Sequence, residues 1–352
     1  MMSRVTPSGA TAAFSVYGYS FVLRGNCDFA REGLAEDFGF FAHKADQEWG
    51  QLGHVDIELV LGVPDYDCLP VCDATVYTPR NVVYRHLGQR IIDFSGRGLG
   101  IYDARASRFR MVSEDPHLVY EAAYLFLLSQ IGQALDSRRL HRLHALAMSH
   151  QGRAILVLLP MGGGKSTLGA ALLRQSAMSI LSDDSPIIDR AGNALAFPLR
   201  LGLLKGREHE VPEEHRRLVQ RMEFGPKYLV NYSHFANRVV DRAKPGLLLL
   251  GRRTLAREGR VEKAPYTLAM RGMLPNMIVG LGLFQGLEYL LERSAREIAG
   301  KTGLGWSRLR NAHTLVRRSA TFLFHMGRDP EDNARIVIEL AAQILGGREA
   351  HP

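Results

Sequence analysis

The sequence predicts an α/β protein in two parts: a smaller β-rich N-terminal domain with a linker helix over residues 1–136, and a larger α/β domain over residues 137–352. Three observations predict it. Short runs alternating apolar and polar side chains fill roughly the first 112 residues, as half-buried strands require. From about residue 137 the pattern changes to compact apolar runs separated by helical periodicity, the signature of alternating strand and helix. The 352 residues are 46% hydrophobic, 8% aromatic and 23% charged, enough core for one large domain or two ordinary ones, which excludes wholesale disorder.

Taken in order, Phe14–Tyr19 and Val55–Val60 read as strands, followed by Asn81–Tyr84 and the pair Ile91–Phe94 and Gly100–Asp103, which Ser95-Gly-Arg-Gly98 divides as a glycine turn. Ser113-Glu-Asp-Pro116 is a helix start, with apolar positions continuing through Tyr120, Tyr124, Leu127 and Ile131. Ala154–Leu159 is a buried strand, Lys165–Leu173 a helix, Met178–Leu181 and Ile187-Ile188 further strands, and Leu247–Leu250 another. Leu283–Leu291 reads as helix and Thr321–His325 as strand. Asp329-Pro330 caps a last helix that Gly346-Gly347 stops.

Charge and cysteine narrow the function. The net charge is +8, and only seven of the 44 basic residues are Lys, leaving 37 Arg. Arginine grips phosphate and carboxylate through a planar fork. The basic residues are scattered, as in Arg138-Arg139, Arg252-Arg253 and Arg317-Arg318, with no stripe of interleaved aromatics, so no nucleic-acid partner is expected. The Arg308, Arg310, Arg317 and Arg318 group reads as a solvated helix face. Cys27, Cys68 and Cys72 lack a second pair to complete a zinc site and read as idle thiols. No unbroken apolar run reaches the roughly 18 residues of a membrane span and no leader pattern opens the chain, so the expectation is a cytoplasmic protein with no membrane partner. Oligomeric state stays open, a homo-oligomer included.

Chemistry concentrates in Ile155–Leu168. A buried strand runs into Pro160-Met-Gly162-Gly163-Gly164-Lys165-Ser166-Thr167 and then a helix, the context a P-loop needs. Backbone N–H groups of Gly162 to Thr167 would turn toward a polyphosphate with the helix dipole behind them. Lys165 would reach the β and γ phosphates of ATP, and Ser166 would ligate Mg²⁺. Leu159 stands where the full consensus has glycine. Asp183 and Asp184 follow Lys165 by 18 and 19 residues at the end of an apolar run. Adjacent carboxylates raise one another's pKa unless a cation intervenes, and magnesium is the natural one here. One Asp can then hold the metal while the other takes a proton from an attacking hydroxyl. Gly96-x-Gly98-x-Gly100 lies between strands and is turn chemistry, and Gly280-x-Gly282-x-x-x-Gly286 has the wrong spacing for a nicotinamide fingerprint.

A P-loop followed this closely by Asp-Asp, with a histidine upstream, resembles the HPr kinase/phosphorylase family and its divergent HprK-related relatives in the phosphoenolpyruvate carboxykinase-like superfamily. The resemblance covers about residues 137 to 202, roughly a fifth of the chain. It implies a P-loop kinase domain transferring the γ-phosphoryl group of ATP to a serine-type hydroxyl on a protein, peptide or small molecule. It gives Asp183 the role of proton-shuttling base and His144, 21 residues before Lys165, that of the active-site histidine, while Ser166 and Asp184 match the metal ligands. His141 has no counterpart and reads as structural. In Phe197-Pro-Leu-Arg-Leu-Gly202, Arg200 matches the family's arginine, but Pro198 replaces the acid of a second metal site. From another class, an assembly ATPase that hydrolyses ATP with no acceptor shares the loop. Carboxykinase-like chemistry on a small carboxylic acid is a third reading that no residue specifies.

Overall fold

The structure is a computed structural model that describes residues 12–42, 49–202, 211–221, 225–279 and 295–346. Leu283–Leu291 and the Gly280–Gly286 glycines lie outside the described residues. The architecture is mixed α/β, with two large mixed sheets. The chain divides into one unit of residues 1–134 and 205–233 and another of residues 135–204 and 234–352.

The first unit carries an eight-stranded sheet in the order β1-β2-β3-β8-β7-β6-β5-β4. The strands are β1 (Ala12–Val16), β2 (Tyr19–Gly25), β3 (Gly53–Leu61), β4 (Ala74–Tyr77), β5 (Val82–His86), β6 (Gln89–Asp93), β7 (Gly98–Asp103) and β8 (Arg108–Ser113). The alternating run Phe14–Tyr19 is two strands, not one. Tyr17 at φ 50° and Gly18 at φ 91° make a two-residue hairpin turn, and the polar–apolar alternation carries on through it. Helix α1 (Asp28–Asp37), absent from the sequence reading, is the crossover that lets β3 run parallel to β2. The glycine turn between β6 and β7 lies where predicted, closed by Phe94 N–H donating to Gly98 O at 2.9 Å.

Helix α2 (Pro116–Ser137) starts as predicted, with Asp115 Oδ1 accepting from the His117 N–H at 2.9 Å. By length and composition it is the one described helix apolar enough to cross a membrane. Scanning for unbroken apolar runs passes over it because Glu121, Ser129 and Gln130 interrupt it. Its apolar side chains are core, with Val119, Tyr120, Ala123, Leu127 and Ile131 buried.

Residues 205–233 leave the second unit's run of sequence and fold with the first. They form the hairpin β16 (Arg216–Arg221) and β17 (Gly225–Val230). Arg217 pairs there with Asp37, which is only 1% exposed, and with the Tyr120 hydroxyl at 3.0 Å, while Tyr120 donates to Asp37 at 2.5 Å. Burial pushes the Arg217 pKa down, but Asp37 and Tyr120 outweigh it and hold the guanidinium charged.

In the second unit, β10 (Leu146–His150), β11 (Arg153–Leu158), β12 (Ser179–Ser182), β18 (Arg242–Arg253) and β20 (Ala320–Met326) form the working part of a nine-stranded sheet. β11, β18 and β20 run parallel, and β10 pairs antiparallel with both β11 and β12. Ile155–Leu158 and Leu247–Leu250 are buried throughout, as strands covered on both faces must be. Short strands β9 (His141–Arg142), β13 (Ile187–Ile188) and β14 (Ala194–Leu195) extend the sheet, β15 (Leu201–Gly202) follows in the chain, and β19 (Arg260–Lys263) edges β20. Helices α3 (Lys165–Gln175), α4 (Tyr266–Met273), α5 (Ala295–Arg318) and α6 (Pro330–Leu345) cover it. Asp329 caps α6 as predicted, its carboxylate accepting from the N–H groups of Glu331 and Asp332.

Removing Arg217 leaves a buried carboxylate uncompensated. Arg217→Ala is expected to lower unfolding free energy by about 3–5 kcal/mol. Urea denaturation followed by circular dichroism measures this, and a change below about 1 kcal/mol would show the pair to be incidental.

Candidate functional site

The site forms where strand ends meet. Because β10 runs antiparallel to β11 and β12, its start lies beside their ends: Leu146 opposes Val157 and Ala147 opposes Ser182. His144 just before β10, the glycine loop after β11 and Asp183-Asp184 after β12 therefore gather at one end of the sheet. Parallel pairing of Leu158 with Leu250 brings the end of β18 there too. Ligand sites of open α/β sheets sit at such carboxyl ends.

The loop after β11 turns at Gly163 N–H···O Pro160, 3.0 Å, and enters α3 through Gly164. Gly164 holds φ 101°, a left-handed conformation that side-chain-bearing residues resist. Lys165 is the first residue of α3 and is 7% exposed. Its ammonium donates to Leu159 O at 2.9 Å and Pro160 O at 3.4 Å, meets His144 Nε2 at 2.8 Å and stands 3.3 Å from Asp184 Oδ1. Ser166, one residue on, donates to Asp183 Oδ2 at 2.7 Å.

An ammonium has only donors, so Nε2 of His144 accepts and the ring proton sits on Nδ1. Nδ1 lies 3.3 Å from Asp184 Oδ1 and has no hydrogen-bond partner among the described residues. The backbone fixes the ring: His144 N–H donates to Asn276 O at 2.9 Å, and Ala145 N–H donates to Asp184 O at 3.2 Å. Burial pushes the Asp184 pKa up, but the His144 imidazole and the Lys165 ammonium more than offset it and hold it below the usual carboxylate range. Asp184 nevertheless keeps 55% of its side chain accessible, whereas Asp183 is buried.

The residues singled out in the sequence thus converge. Of the residues read as metal ligands, Ser166 bonds Asp183, and Asp184 stands beside Lys165 and His144. Local spacing could not separate two adjacent carboxylates, because strand direction decides which of them faces the loop. His141 is structural, as expected. It is fully buried, with Nδ1 2.7 Å from Asp136 and Nε2 2.8 Å from Ser307, and Arg308 completes the cluster at 2.7 Å from Asp136. Arg308 is therefore an ion-pair partner, which departs from the solvated face read for it. Pro198 is buried and supplies no ligand. The three cysteines are free.

Leu159, the departure from the loop consensus, has a compensation 92 residues later in the chain. Its side chain lies over Gly251, where a Cβ would come within 2.5 Å of Leu159 Cδ2. Sequence reasoning missed this, along with Arg238, whose guanidinium takes Leu173 O, Ser176 O and Met178 O at 3.2, 2.7 and 2.5 Å. A cation there caps the negative end of α3. A cavity of about 710 Å³ opens beside the loop, lined in part by His144, Met161, Arg252 and Arg271. No family model matches this chain, and no curated protein matches it.

Two measurements follow from this geometry. Gly251→Ala is expected to cost about 1–3 kcal/mol through overpacking against Leu159. Adding Leu159→Gly should make the pair cost less than the sum of its parts, and strict additivity in a denaturation cycle would refute the contact. The Asp136 pKa is held low in the folded protein: burial raises it, but His141 and Arg308 outweigh that. A depressed carboxylate stabilises above its unfolded value of about 4 and loses that contribution as pH falls through the folded value. The melting-temperature deficit of Asp136→Asn should thus be full at neutral pH and shrink below about pH 4, whereas a pH-independent deficit would contradict the ion cluster.

Proposed function

We propose that this chain is an ATP-dependent phosphotransferase of the HPr kinase-like P-loop type, passing the γ-phosphoryl group to a serine-type hydroxyl on a protein, peptide or small molecule. The observation that carries the reading is the convergence of Lys165, Ser166, Asp183, Asp184 and His144 on the N-terminus of α3. A nucleotide switch needs one acid beside the loop, and here two carboxylates have separate partners.

The backbone N–H groups from Gly162 to Thr167 and the start of α3 bind the phosphates of the substrate ATP. Lys165 exchanges the carbonyls of Leu159 and Pro160 for phosphate oxygens. Ser166 and Asp183 would hold Mg²⁺, because a hydroxyl and a carboxylate oxygen 2.7 Å apart are a hard, all-oxygen donor set. Among the described residues no group of three or more His, Cys, Asp or Glu could cage a metal, which suits an ion that takes its other ligands from phosphate and water. Bound there, magnesium supplies positive charge against the charge developing on the phosphoryl oxygens. Asp184 is the better base: it is half exposed, His144 orients it, and departure of Lys165 toward phosphate relaxes the pull on its pKa. The base role moves from Asp183, which is tied to Ser166 and buried. The acceptor hydroxyl enters from the cavity beside His144.

Calorimetry with ATP and magnesium, followed by transfer of labelled phosphate to proteins encoded nearby, tests the reading. Asp184→Asn should keep nucleotide affinity within a few-fold and lower transfer by about 10²–10⁴. Absence of binding heat would end the proposal. Turnover of ATP with no acceptor, stimulated by a protein partner, would instead favour the assembly ATPase.

A further inference from the structure

A second cavity, of about 690 Å³, lies beside helices α4 and α5 and shares no described residue with the one at the glycine loop. Arg139, Arg190 and Arg310 line it. One buried amide fixes where these arginines stand. Asn311, next to Arg310 and only 1% exposed, donates from Nδ2 to Arg139 O at 2.9 Å and to Ile188 O at 3.2 Å. Helix α5 thereby grips both the segment that carries Arg139 and the one that carries Arg190. Arg318 Nη1 donates to Ala191 O at 2.8 Å and pins the other side of Arg190. Arg139 holds φ 61°, a left-handed conformation that costs a side-chain-bearing residue free energy and persists where the surroundings enforce it. Among the described residues none of the three guanidinia makes an ion pair or a hydrogen bond, and no carboxylate lines the cavity. The acids nearest in sequence have other partners: Asp136 binds His141 and Arg308, and Asp189 accepts from the N–H groups of Ala191 and Asn193. Aromatic rings complete the lining. Trp306 is 73% exposed, and Tyr266 is tied to α5 by a 2.6 Å hydrogen bond between its hydroxyl and His313 Nδ1.

We propose that this cavity binds a small aromatic phosphate, with the phosphate held by Arg139, Arg190 and Arg310 and the ring laid against Trp306. The site is built from residues outside the glycine loop and does not depend on the phosphotransferase reading. Guanidinium forks meet phosphate oxygens two at a time. A phosphate monoester carries about two negative charges at neutral pH, so three arginines with no acid among them suit it better than a single carboxylate. The exposed indole offers a flat face on which any planar ring can stack, at little cost in side-chain freedom. The volume falls in the range of about 300–1,000 Å³ usual for small-molecule sites. A bare aryl phosphate and a nucleoside monophosphate share this chemistry.

Calorimetric titration of the full chain with 1-naphthyl phosphate, adenosine monophosphate, 1-naphthol and inorganic phosphate tests the site. At least one of the two aromatic phosphates should bind saturably below about 1 mM, and at least about 10-fold more tightly than naphthol or inorganic phosphate. The tighter of the two tells an aryl phosphate from a nucleotide. The side chains to be changed are exposed, so their loss leaves folding intact. Arg190→Gln and Arg310→Gln should each weaken that ligand by about 10-fold or more. Trp306→Ala should weaken it by about fivefold or more, and Trp306→Phe should restore most of the loss. Unchanged affinity in both arginine variants would place the binding elsewhere and overturn the proposal. Unchanged affinity in Trp306→Ala would overturn the role of the ring and reduce the site to a general anion patch. No saturable heat from either aromatic phosphate would end it.

Discussion

A buried ammonium needs acceptors, and most of the site's arrangement follows from satisfying Lys165. With 7% of its surface exposed, it takes two carbonyls from its own loop, a ring nitrogen from the segment before β10 and a carboxylate from the segment after β12. The acceptors come from three pieces of chain, so the lysine ties together the segment before β10, the loop after β11 and the segment after β12. Its neighbours are then constrained in turn. His144 must present Nε2 to the ammonium, which leaves Nδ1 for Asp184 and explains why the backbone on both sides of that ring is tied to Asn276 and Asp184. The same charge helps to lower the Asp184 pKa, so the lysine helps to hold this carboxylate ionised.

Much of this was legible in the sequence, for local reasons. The strand, glycine loop and helix around Gly162–Thr167 depend on backbone conformations that few residues other than glycine adopt, and such requirements are written where they act. The Asp329 cap and the Ser95–Gly98 turn are local in the same sense. What stayed hidden involves partners far apart in the chain. α1 is a crossover demanded by the parallel pairing of β2 and β3, and that pairing leaves no mark within residues 28–37. The hairpin at residues 216–230 folds with residues 1–134 because Arg217 finds a buried carboxylate and a tyrosine there, 180 and 97 residues away. A contiguous reading of domains has no place for such an insertion.

Asp183 and Asp184 mark the boundary between the two kinds of information. That an acidic pair would stand beside the loop follows from its place after an apolar strand. Which member would face Ser166 does not, because neighbouring residues at the end of a strand point opposite ways, and the choice is set by the pairing of β12 with β10 and its irregularity at Ala147/Met148. A shift of one residue would exchange the two roles without altering the motif.

Leu159 carries the argument furthest. Measured against a loop consensus, a leucine in place of glycine looks like damage. In the folded chain it is one half of a volume match: the bulk added at Leu159 is subtracted at Gly251 on the neighbouring strand, where even a methyl group would overlap the leucine. What the loop requires is room for its backbone to turn, and either strand can supply that room. Such a requirement is set by the space between β11 and β18, so no pattern confined to one segment can express it.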